Sequence, residues 1–504
     1  WSEIDPSIMG TLFERGLDPD KRSQLGAHYT DRDKIMRIVE PVIQRPLEAE
    51  WADAKARIEA ALGKAEAARS PAVRTKLRNE AQALYRGFLD RLGGFKVLDP
   101  ACGSGNFLYL ALHALKDLEL RAGIEAEALG LPREFPRVGP EQLLGIEINP
   151  YAAELARVSV WIGEIQWMLR HGFAVARNPI LRTLETIACR DALLQQDGGA
   201  ATWPEADAII GNPPFLGGKF LRDGLGDDQV NALFAVHDGV VPREADLVCY
   251  WFAKANAAIR SGRSARAGLV TTNSIRGGAN RKVLDRIRDE QVIFDAWSDE
   301  PWVIDGANVR VSLVCFARPD DQGARSPRLD GAPVERIFPD LTGVAADRGV
   351  DLTTARRLPE NMRRAFMGDT KGGAFDIPGE LAREWLQAPA NPNGRPDSDV
   401  LRPWINGPDV TRRPRDMWII DFGGVADEAS AAFYERPFQH AIAHVREERV
   451  ARQSRGYART WWQHERPRPE MWSALSGLRR YLAPRWRSIA SSFGSMPASA
   501  LITN

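Results

Sequence analysis

The chain has 504 residues, of which 44% are hydrophobic and 27% are charged, and its 67 basic residues balance its 67 acidic residues. This composition is typical of a folded globular protein and excludes a largely disordered one, and the length allows two or three domains. The sequence contains neither a run of about 18 apolar residues nor a signal peptide, so we expect a cytoplasmic protein that does not contact a membrane.

Four cysteines, Cys102, Cys189, Cys249 and Cys315, are scattered along the chain without a Cys-x-x-Cys pair. This spacing does not match a structural zinc site, so we predict reduced thiols and no metal. The chain begins at Trp1, without a methionine, and ends at Asn504 in sequence typical of a globular domain. We therefore expect it to be part of a longer polypeptide.

Residues 45–90 are rich in Ala, Glu, Arg and Leu at helical spacing and predict an antiparallel helical pair. A short apolar run then leads into the turn Gly103-Ser104-Gly105, and an apolar helical segment, Phe107–Leu118, follows. Glycines in such a turn let backbone N–H groups approach a ligand closely. The third glycine of a dinucleotide-binding fingerprint is missing, which argues against a pyrophosphate cofactor. Asp99 instead offers a carboxylate that suits an ammonium group.

Two further acids end apolar runs that we interpret as strands. Leu143–Glu147 ends in a carboxylate of the kind that binds ribose hydroxyls, and Ile187–Asp191 ends in another acid. Glu147 follows Gly105 by 42 residues, whereas about 20 is usual for a ribose-binding acid. We interpret residues 121–140 as an inserted loop that accounts for the difference. One such acid alone indicates only a solvated loop charge, but the ordered series predicts a ligand site.

The most informative motif is Asn212-Pro213-Pro214-Phe215. It follows Asp207 and four apolar or small residues, Ala208–Gly211, which predict a buried strand. Ligands bind beyond the carboxyl ends of the strands in an open α/β sheet. The prolines fix φ and remove N–H donors, which leaves the nearby carbonyls free to accept hydrogen bonds. A side-chain amide, a carbonyl and an aromatic face suit a planar exocyclic amine such as that of adenine. The alternative is a strand followed by a proline turn without a ligand.

Two later apolar segments complete the predicted core. Ala267–Ser274 predicts a fifth strand, and Val309–Phe316 predicts a strand of a late hairpin. Residues 91–320 therefore form the predicted doubly wound core, and the loop-rich stretch 321–400 is a predicted connection.

The C-terminal stretch 401–504 is interpreted as an incomplete recognition domain. Residues 401–490 contain sixteen arginines, no lysine and ten acidic residues, and arginine suits phosphate and guanine contacts. Six tryptophans are interleaved with these arginines: Trp404, Trp418, Trp461, Trp462, Trp472 and Trp486. An arginine-rich surface over a tryptophan-containing core explains most of these residues individually, whereas recognition of DNA explains the stretch as a whole.

Together these motifs resemble the S-adenosylmethionine-dependent amino-methyltransferases of DNA. Asp99–Gly105 is similar to their cofactor motif, and Asn212–Phe215 to the catalytic motif of the N6-adenine members. Gln24–Thr30 is similar to the N-terminal cofactor motif that precedes the glycine turn in the γ class. Ile4–Glu14 and Trp461–Pro469 are similar to segments of the MmeI-like (Type IIL) restriction–modification proteins, in which nuclease, methyltransferase and target recognition share one polypeptide.

The resemblance implies an α/β fold: a doubly wound, Rossmann-like methyltransferase sheet with a helical insertion and a C-terminal α+β target-recognition domain. It also implies S-adenosyl-L-methionine as the cofactor and places the N-terminal cofactor motif in residues 1–44. In this scheme Tyr29, Thr30 and the Gly103 turn contact the methionine moiety. Glu147 holds the ribose, Asp191 holds the adenine amine and Ile148 packs on the adenine ring. The expected cofactor-binding residues are Tyr29, Thr30, Asp99, Ala101, Gly103, Gly105, Asn106, Phe107, Glu147, Ile148, Asp191 and Ala192.

The expected catalytic residues are Asn212, Pro213, Pro214 and Phe215. The target adenine must leave the duplex to react, and Phe215 would then stack on it. The Asn212 side-chain oxygen and the Pro213 carbonyl would accept hydrogen bonds from its N6 amine. The implied function is site-specific N6-adenine methylation of double-stranded DNA, in a restriction–modification or phage-defence protein. Two alternatives stay open for the remaining polypeptide: it carries a nuclease domain, or the protein serves a phage-defence methylation system without its own nuclease.

Three other interpretations stay open. Asn-Pro-Pro-Phe-like motifs also suit methyltransferases that act on RNA or on a protein glutamine, since both substrates offer an amine or amide nitrogen. The third interpretation is a non-catalytic DNA-recognition module, in which the catalytic motifs would be expected to be damaged.

Asp340 and the pair Asp369-x-Lys371 have the residue types of a metal-dependent nuclease. Without strand context they do not predict a nuclease within this chain.

Overall fold

This computed structural model describes residues 32–173, 184–304, 307–344, 358–364, 366–405, 409, 413–451, 459–478, 480–484, 493–497 and 501–502. The chain forms two compact units, Trp1–Ala355 and Arg356–Asn504. The boundary between them falls inside the stretch 321–400 that the sequence suggests as a connection.

Among the described residues of the first unit, nine strands form one sheet. In chain order they are β1 (Val97–Asp99), β2 (Leu143–Glu147), β3 (Ile187–Cys189), β4 (Ala208–Gly211), β5 (Arg266–Thr272), β6 (Val292–Ile304), β7 (Ala307–Ala317), β8 (Arg328–Leu329) and β9 (Ala332–Pro333). Their order across the sheet is β3-β2-β1-β4-β5-β7-β6-β8-β9. Strands β1 to β5 pair in parallel, and β7 lies antiparallel between β5 and β6. This arrangement confirms the predicted α/β fold class.

Helices cover both faces of this sheet. In chain order they are α1 (Arg32–Val39), α2 (Arg45–Ala67), α3 (Pro71–Gly93), α4 (Asn106–Ala128), α5 (Pro150–Arg170), α6 (Leu221–Leu225), α7 (Asp227–Val236), α8 (Val248–Arg260) and α9 (Gly278–Glu290). Successive strand residues point to opposite faces, so Val97 of β1 joins the apolar cluster formed with α1 to α5, whereas Leu98 joins the cluster formed with α6 to α9. Ile210 and Ile209 of β4 divide in the same way, which makes the sheet doubly wound.

Helices α2 and α3 occupy the stretch that the sequence suggests as a helical pair. They pack through aromatic rings: the ring centroid of Trp51 lies 6.2 Å from that of Tyr85 and 4.9 Å from that of Phe88. All three side chains are buried, so the pair belongs to the core on this face of the sheet. No helix among the described residues is both long and apolar enough to cross a bilayer.

The prediction of a loop over residues 121–140 is wrong in its extent. Helix α4 continues to Ala128, and only residues 129–139 separate it from the short 3-10 turn Pro140–Gln142. Ala122 and Ala126 are fully buried in the core. This tertiary packing stabilises the last two turns of the helix, because helical stability in proteins depends mainly on the packing of a buried face.

The second unit has its own smaller sheet and apolar core. In the first unit, β10 (Arg336–Ile337) and β11 (Gly343–Val344) form a separate antiparallel pair. The described strands of the second unit are β12 (Asp376–Pro378), β13 (Leu401–Ile405), β14 (Met417–Ile420), β15 (Arg480–Pro484), β16 (Phe493–Pro497) and β17 (Leu501–Ile502). Strand order in the sheet is β12-β14-β13-β17, and β15 pairs with β16. Its described helices are α10 (Gly379–Leu386), α11 (Glu428–Ala432), α12 (Glu435–Ala441), α13 (Glu447–Ala451) and α14 (Pro469–Leu475).

The tryptophans of the second unit mainly build this core. Trp404, Trp461 and Trp462 are buried in the apolar cluster, and Trp418 and Trp472 are half-buried against it. Of the six tryptophans noted in the sequence, Trp486 lies outside the described residues. The tryptophan-containing core thus accounts for the described members better than direct contact with DNA does.

Candidate active site

Polar residues follow the ends of four parallel strands at one edge of the first unit's sheet. Asp99 ends β1, Glu147 ends β2, Asp191 lies two residues beyond β3, and Asn212 directly follows β4. Because these strands are parallel neighbours, their carboxyl ends meet at the same edge. All four residues line one cleft of about 1230 Å³, including the space at its open mouth.

Most of the residues singled out from the sequence line this cleft: Asp99, Ala101, Gly103, Asn106, Phe107, Glu147, Ile148, Asp191, Ala192, Asn212 and Pro214. Gly105, Pro213 and Phe215 lie in the same loops but are not among the lining residues. Tyr29 and Thr30 lie outside the residues that the structure describes.

The turn between β1 and α4 depends on its two glycines for different reasons. Gly103 and Gly105 have φ values of 53° and 87°, a region that residues with a Cβ adopt only with strain. A Cβ at Gly105 would lie 3.0 Å from the Cα of Ala156 in α5, whereas a Cβ at Gly103 would meet nothing within 4 Å. Gly105 therefore allows the turn to pack on α5, and Gly103 supplies the conformation of the turn beside the cleft.

The Asp99 carboxyl group is buried at the base of the cleft, with 1% of its surface exposed. Its Oδ1 accepts a hydrogen bond of 3.0 Å from the Ala101 backbone N–H. A Cβ at Gly211 would lie 2.5 Å from the same oxygen, so glycine there lets the end of β4 pass the carboxyl group. Burial raises the pKa of Asp99 to about 8. A cationic group beside it would favour the charged form, which is the electrostatic setting that an ammonium group requires.

Glu147 ties the end of β2 to the glycine turn. Its Oε2 accepts a hydrogen bond of 2.9 Å from the Gly103 N–H, and its Oε1 accepts one of 2.9 Å from the Asn149 N–H. Burial raises the pKa of Glu147, and these backbone donors oppose that effect. A carboxylate has about four lone-pair sites, so Glu147 retains the capacity to accept hydrogen bonds from hydroxyl groups in the cleft.

Asp191 closes a turn after β3 and contacts a residue that the sequence analysis missed. Its Oδ1 accepts hydrogen bonds from the backbone N–H groups of Leu193 and Leu194, at 2.7 Å and 3.2 Å. Its Oδ2 accepts one of 3.3 Å from the side-chain amide of Gln229 in α7. Gln229 lines the cleft, while Ile148 places an apolar side chain, 53% exposed, at the same cleft. An amide, a carboxylate and an apolar surface together suit a planar heterocycle.

The Asn-Pro-Pro-Phe segment contributes its first and third residues to the cleft, since Asn212 and Pro214 are lining residues. Phe215 is partly buried and packs against the apolar clusters on both faces of the sheet. Two hydrogen bonds hold the segment beyond it: the Leu247 N–H donates to the Leu216 carbonyl at 2.8 Å, and the Gly218 N–H donates to the side-chain Oδ1 of Asp246 at 3.0 Å.

Asp246 is the centre of a polar network that the sequence analysis also missed. Its Oδ2 accepts hydrogen bonds from Ser274 Oγ at 2.6 Å and from Asn280 Nδ2 at 2.7 Å, and its backbone N–H donates to Asn280 Oδ1 at 2.8 Å. The network anchors the segment after the motif to α9.

Trp251 of α8 is another residue that the sequence did not indicate. It lines the cleft, and its Nε1 donates a hydrogen bond of 3.0 Å to the Pro100 carbonyl. No local pattern marks these residues, because their partners are distant in sequence.

Some arginines of the second unit form ion pairs within it, and others are exposed to solvent. Arg415 forms an ion pair of 2.7 Å with Asp409, and Arg436 forms one of 3.4 Å with Asp397. Arg446, Arg459 and Arg466 are exposed. The sequence-based expectation of nucleic-acid contacts therefore applies to a subset of the sixteen arginines, because several have partners within the unit.

Comparison with known proteins agrees with this architecture. Residues 74–324 match the family model described as the MmeI DNA-methyltransferase domain. DNA methyltransferase A of Bacillus subtilis (strain 168) is 30% identical over 291 residues, which span 56% of this chain and 30% of that protein. A putative type II restriction enzyme and methyltransferase of Methanocaldococcus jannaschii is 33% identical over 88 residues, or 17% of this chain and 8% of that protein. The chain thus spans less than a third of these curated relatives.

A solved structure also shares the fold. The Type IIL restriction–modification enzyme MmeI, determined in complex with DNA, superposes with a TM-score of 0.72 at 22% sequence identity, covering 100% of this chain and 65% of that one. At this identity the superposition establishes the fold alone, and the family model adds the relationship in sequence. Residues 74–324, which include the whole of the cleft described above, therefore belong to the MmeI DNA-methyltransferase domain family.

Proposed function

We propose that this protein transfers a methyl group from S-adenosylmethionine to the N6 amine of adenine in double-stranded DNA. The observation that carries the proposal is the single cleft in which Asp99, Glu147, Asp191 and Asn212 converge at the carboxyl edge of the sheet. The match of residues 74–324 to the MmeI DNA-methyltransferase domain supports DNA as the substrate. Methylation within a restriction–modification or phage-defence protein is part of the same proposal.

The residues of the cleft fit S-adenosylmethionine. Asp99 is a buried carboxyl group beside which a cation is favoured, and Gly103 exposes its backbone to the cleft because it has no side chain. Glu147 has acceptor capacity for the ribose hydroxyls, and Asp191 with Gln229 offers an acceptor and an amide for the adenine edge. When bound, S-adenosylmethionine supplies an electrophilic methyl group on a sulfonium sulfur.

The chain's own contribution to the reaction is to orient the target amine. The Asn212 side-chain oxygen and the Pro213 carbonyl accept hydrogen bonds from the two N–H groups, which withdraws the nitrogen lone pair from conjugation with the ring. Phe215 stabilises the extruded base by stacking on it. This role requires one face of its partly buried ring to be accessible to the base. Orientation of this kind lowers the barrier by up to roughly 7–11 kcal/mol in well-ordered cases.

The substrate class is tested by offering the chain duplex DNA, single-stranded RNA and a glutamine-containing peptide with labelled S-adenosylmethionine. The proposal expects label in DNA only, recovered as N6-methyladenine after digestion to nucleosides. Label on cytosine would refute the adenine assignment, and label in RNA or peptide would refute the choice of substrate. DNA binding without transfer to any substrate would support the recognition-module alternative.

A further inference from the structure

A second cluster of ligand-type side chains lies in the second unit, far in sequence from the methyltransferase motifs. Asp369 precedes β12, Asp421 directly follows β14, and His464 precedes α14. One oxygen of each carboxylate and one ring nitrogen of the histidine lie within 4.8 Å of one another. His464 Nδ1 is 3.6 Å from Asp369 Oδ2 and 3.9 Å from Asp421 Oδ1. From this cluster we propose that the second unit binds one divalent transition-metal cation, with Zn²⁺ as the best fit.

The hydrogen bonds of His464 leave a nitrogen lone pair directed at the two carboxylates. Its Nε2 lies 2.9 Å from the Ile420 carbonyl oxygen, and because a carbonyl only accepts, Nε2 must carry the proton. In a ring that carries only this proton, Nδ1 is an acceptor that faces the acceptor oxygens of Asp369 and Asp421, which is repulsive unless a cation lies between them. Nδ1 lies 3.6 Å from Asp369 Oδ2 and 3.9 Å from Asp421 Oδ1, beyond hydrogen-bond distance, which leaves room for an ion among the three side chains.

Two buried atoms of the cluster have no partner in the part of the chain that the structure describes. They are His464 Nδ1 and Asp369 Oδ1, and their residues are 2% and 1% exposed. An unsatisfied buried polar atom costs about 1–3 kcal/mol and charged groups cost more, so native proteins rarely retain two beside each other. A cation bound by all three side chains satisfies His464 Nδ1, and it satisfies Asp369 Oδ1 as well when that carboxylate binds through both oxygens.

The spacing and the surrounding contacts are those of a metal site. Zinc binds histidine nitrogen and carboxylate oxygen at about 2.0–2.2 Å, so two ligands of one ion lie about 3–4 Å apart. Each candidate ligand also has an outer partner that fixes its orientation, as metal ligands usually do. The Ile420 carbonyl holds His464, the Gly423 N–H donates to Asp421 Oδ1 at 2.8 Å, and Trp472 Nε1 donates to Asp369 Oδ2 at 3.5 Å.

Because the cluster is buried, we expect the bound ion to be structural rather than catalytic. Asp369 and His464 are almost fully buried, so a phosphodiester group cannot reach an ion held between them. Lys371, which with Asp369 has the spacing of a nuclease motif, instead hydrogen-bonds to Asp376, and its Nζ lies 4.6 Å from the centre of the Trp404 ring. A cation here links three segments distant in sequence, and such a link stabilises a fold by closing long loops.

The test begins with the metal content of the intact chain, purified without a histidine tag and dialysed against metal-free buffer. The proposal expects about one zinc ion per chain by mass spectrometry. Restoring Zn²⁺ to chelator-stripped protein, at about a hundred times the dissociation constant, should raise the midpoint of thermal unfolding by roughly 5–10 °C. Mg²⁺ should not replace it, because Mg²⁺ prefers oxygen ligands.

His464→Gln and Asp369→Asn should each lose the bound ion and the thermal response to Zn²⁺. Two variants serve as matched controls: Asp397→Asn removes another buried carboxylate of this unit, and His440→Ala removes a histidine whose ring lies 4.4 Å from that of His444. Both should keep the ion. If the ligand variants do not fold, Co²⁺ substituted into wild-type protein should give the visible absorption of a nitrogen- and oxygen-ligated site. Wild-type protein that neither retains nor responds to Zn²⁺, Co²⁺ or Mn²⁺, or loss of the ion in His440→Ala, overturns the proposal.

Discussion

At the scale of single residues, Asn212 and Asp99 test separate parts of the proposed reaction. Asn212 borders the cleft where the target amine would enter, whereas Asp99 is buried at the base on the cofactor side. Substitution of the first should affect turnover, and substitution of the second should affect ligand binding and its dependence on pH.

For Asn212→Ala we expect a loss of chemistry with little loss of binding. The hydrogen bond from the target amine to Asn212 strengthens as the nitrogen becomes tetrahedral, and an interaction made mainly in the transition state affects turnover more than affinity. Single-turnover transfer of labelled methyl into an adenine-containing duplex should fall by at least about two orders of magnitude. Cofactor affinity should stay near normal. Exposed Asn231 provides the control Asn231→Ala, and near wild-type rates for Asn212→Ala would refute the mechanism.

The raised pKa of Asp99 predicts a pH dependence of S-adenosylmethionine binding. Below its pKa of about 8 the carboxyl group holds a proton, and binding of a cationic amine must release that proton, so affinity should rise with pH by up to about tenfold per unit. Above about pH 8 the ligand's α-amino group loses its own charge and affinity should fall. Calorimetry from about pH 6 to pH 9 measures this maximum. Asp99→Asn should remove the rising limb, and an unchanged rising limb in that variant would assign the proton to another group.

At the scale of elements, the glycine turn offers a matched pair of substitutions. Alanine at either position is strained because φ is positive, at a cost of roughly 1–2 kcal/mol. Gly105→Ala also places a methyl group 3.0 Å from the Cα of Ala156, whereas Gly103→Ala meets nothing within 4 Å. We therefore expect Gly105→Ala to lower the free energy of unfolding by at least about 1 kcal/mol more than Gly103→Ala. Urea denaturation measures the difference, and equal destabilisation would contradict the packing role of Gly105.

At the scale of the whole molecule, zero net charge means that any affinity for DNA depends on how charge is distributed. The exposed arginines of the second unit are candidates for phosphate contacts. Replacement of Arg459 or Arg466 by Gln should weaken duplex binding and reduce the slope of log affinity against log salt by about one for each phosphate that is no longer neutralised. Exposed Arg57 in helix α2 supplies the control Arg57→Gln. Salt slopes that do not change in either variant would exclude these two side chains from the interface.

Local patterns in the sequence were enough to locate three of the strands that build the cleft. Apolar runs ending in Asp99 and Glu147, and the run before Asn212, correspond to β1, β2 and β4. Buried parallel strands need continuous apolar residues, and a polar residue that ends such a run lies at the strand's carboxyl end, so these local signals also predicted which side chains share an edge. The roles given to those side chains stay predictions.

Other features of the two units depend on contacts between residues that are distant in sequence, and local patterns do not indicate them. Gln229, Asp246 and Trp251 act through partners that are distant in sequence, and packing extended α4 through residues predicted as a loop. Asp369, Asp421 and His464 lie in three separate segments without a common spacing. Their proximity is set by the sheet and apolar core of the second unit, because long-range packing, rather than periodicity along the chain, brings such side chains together.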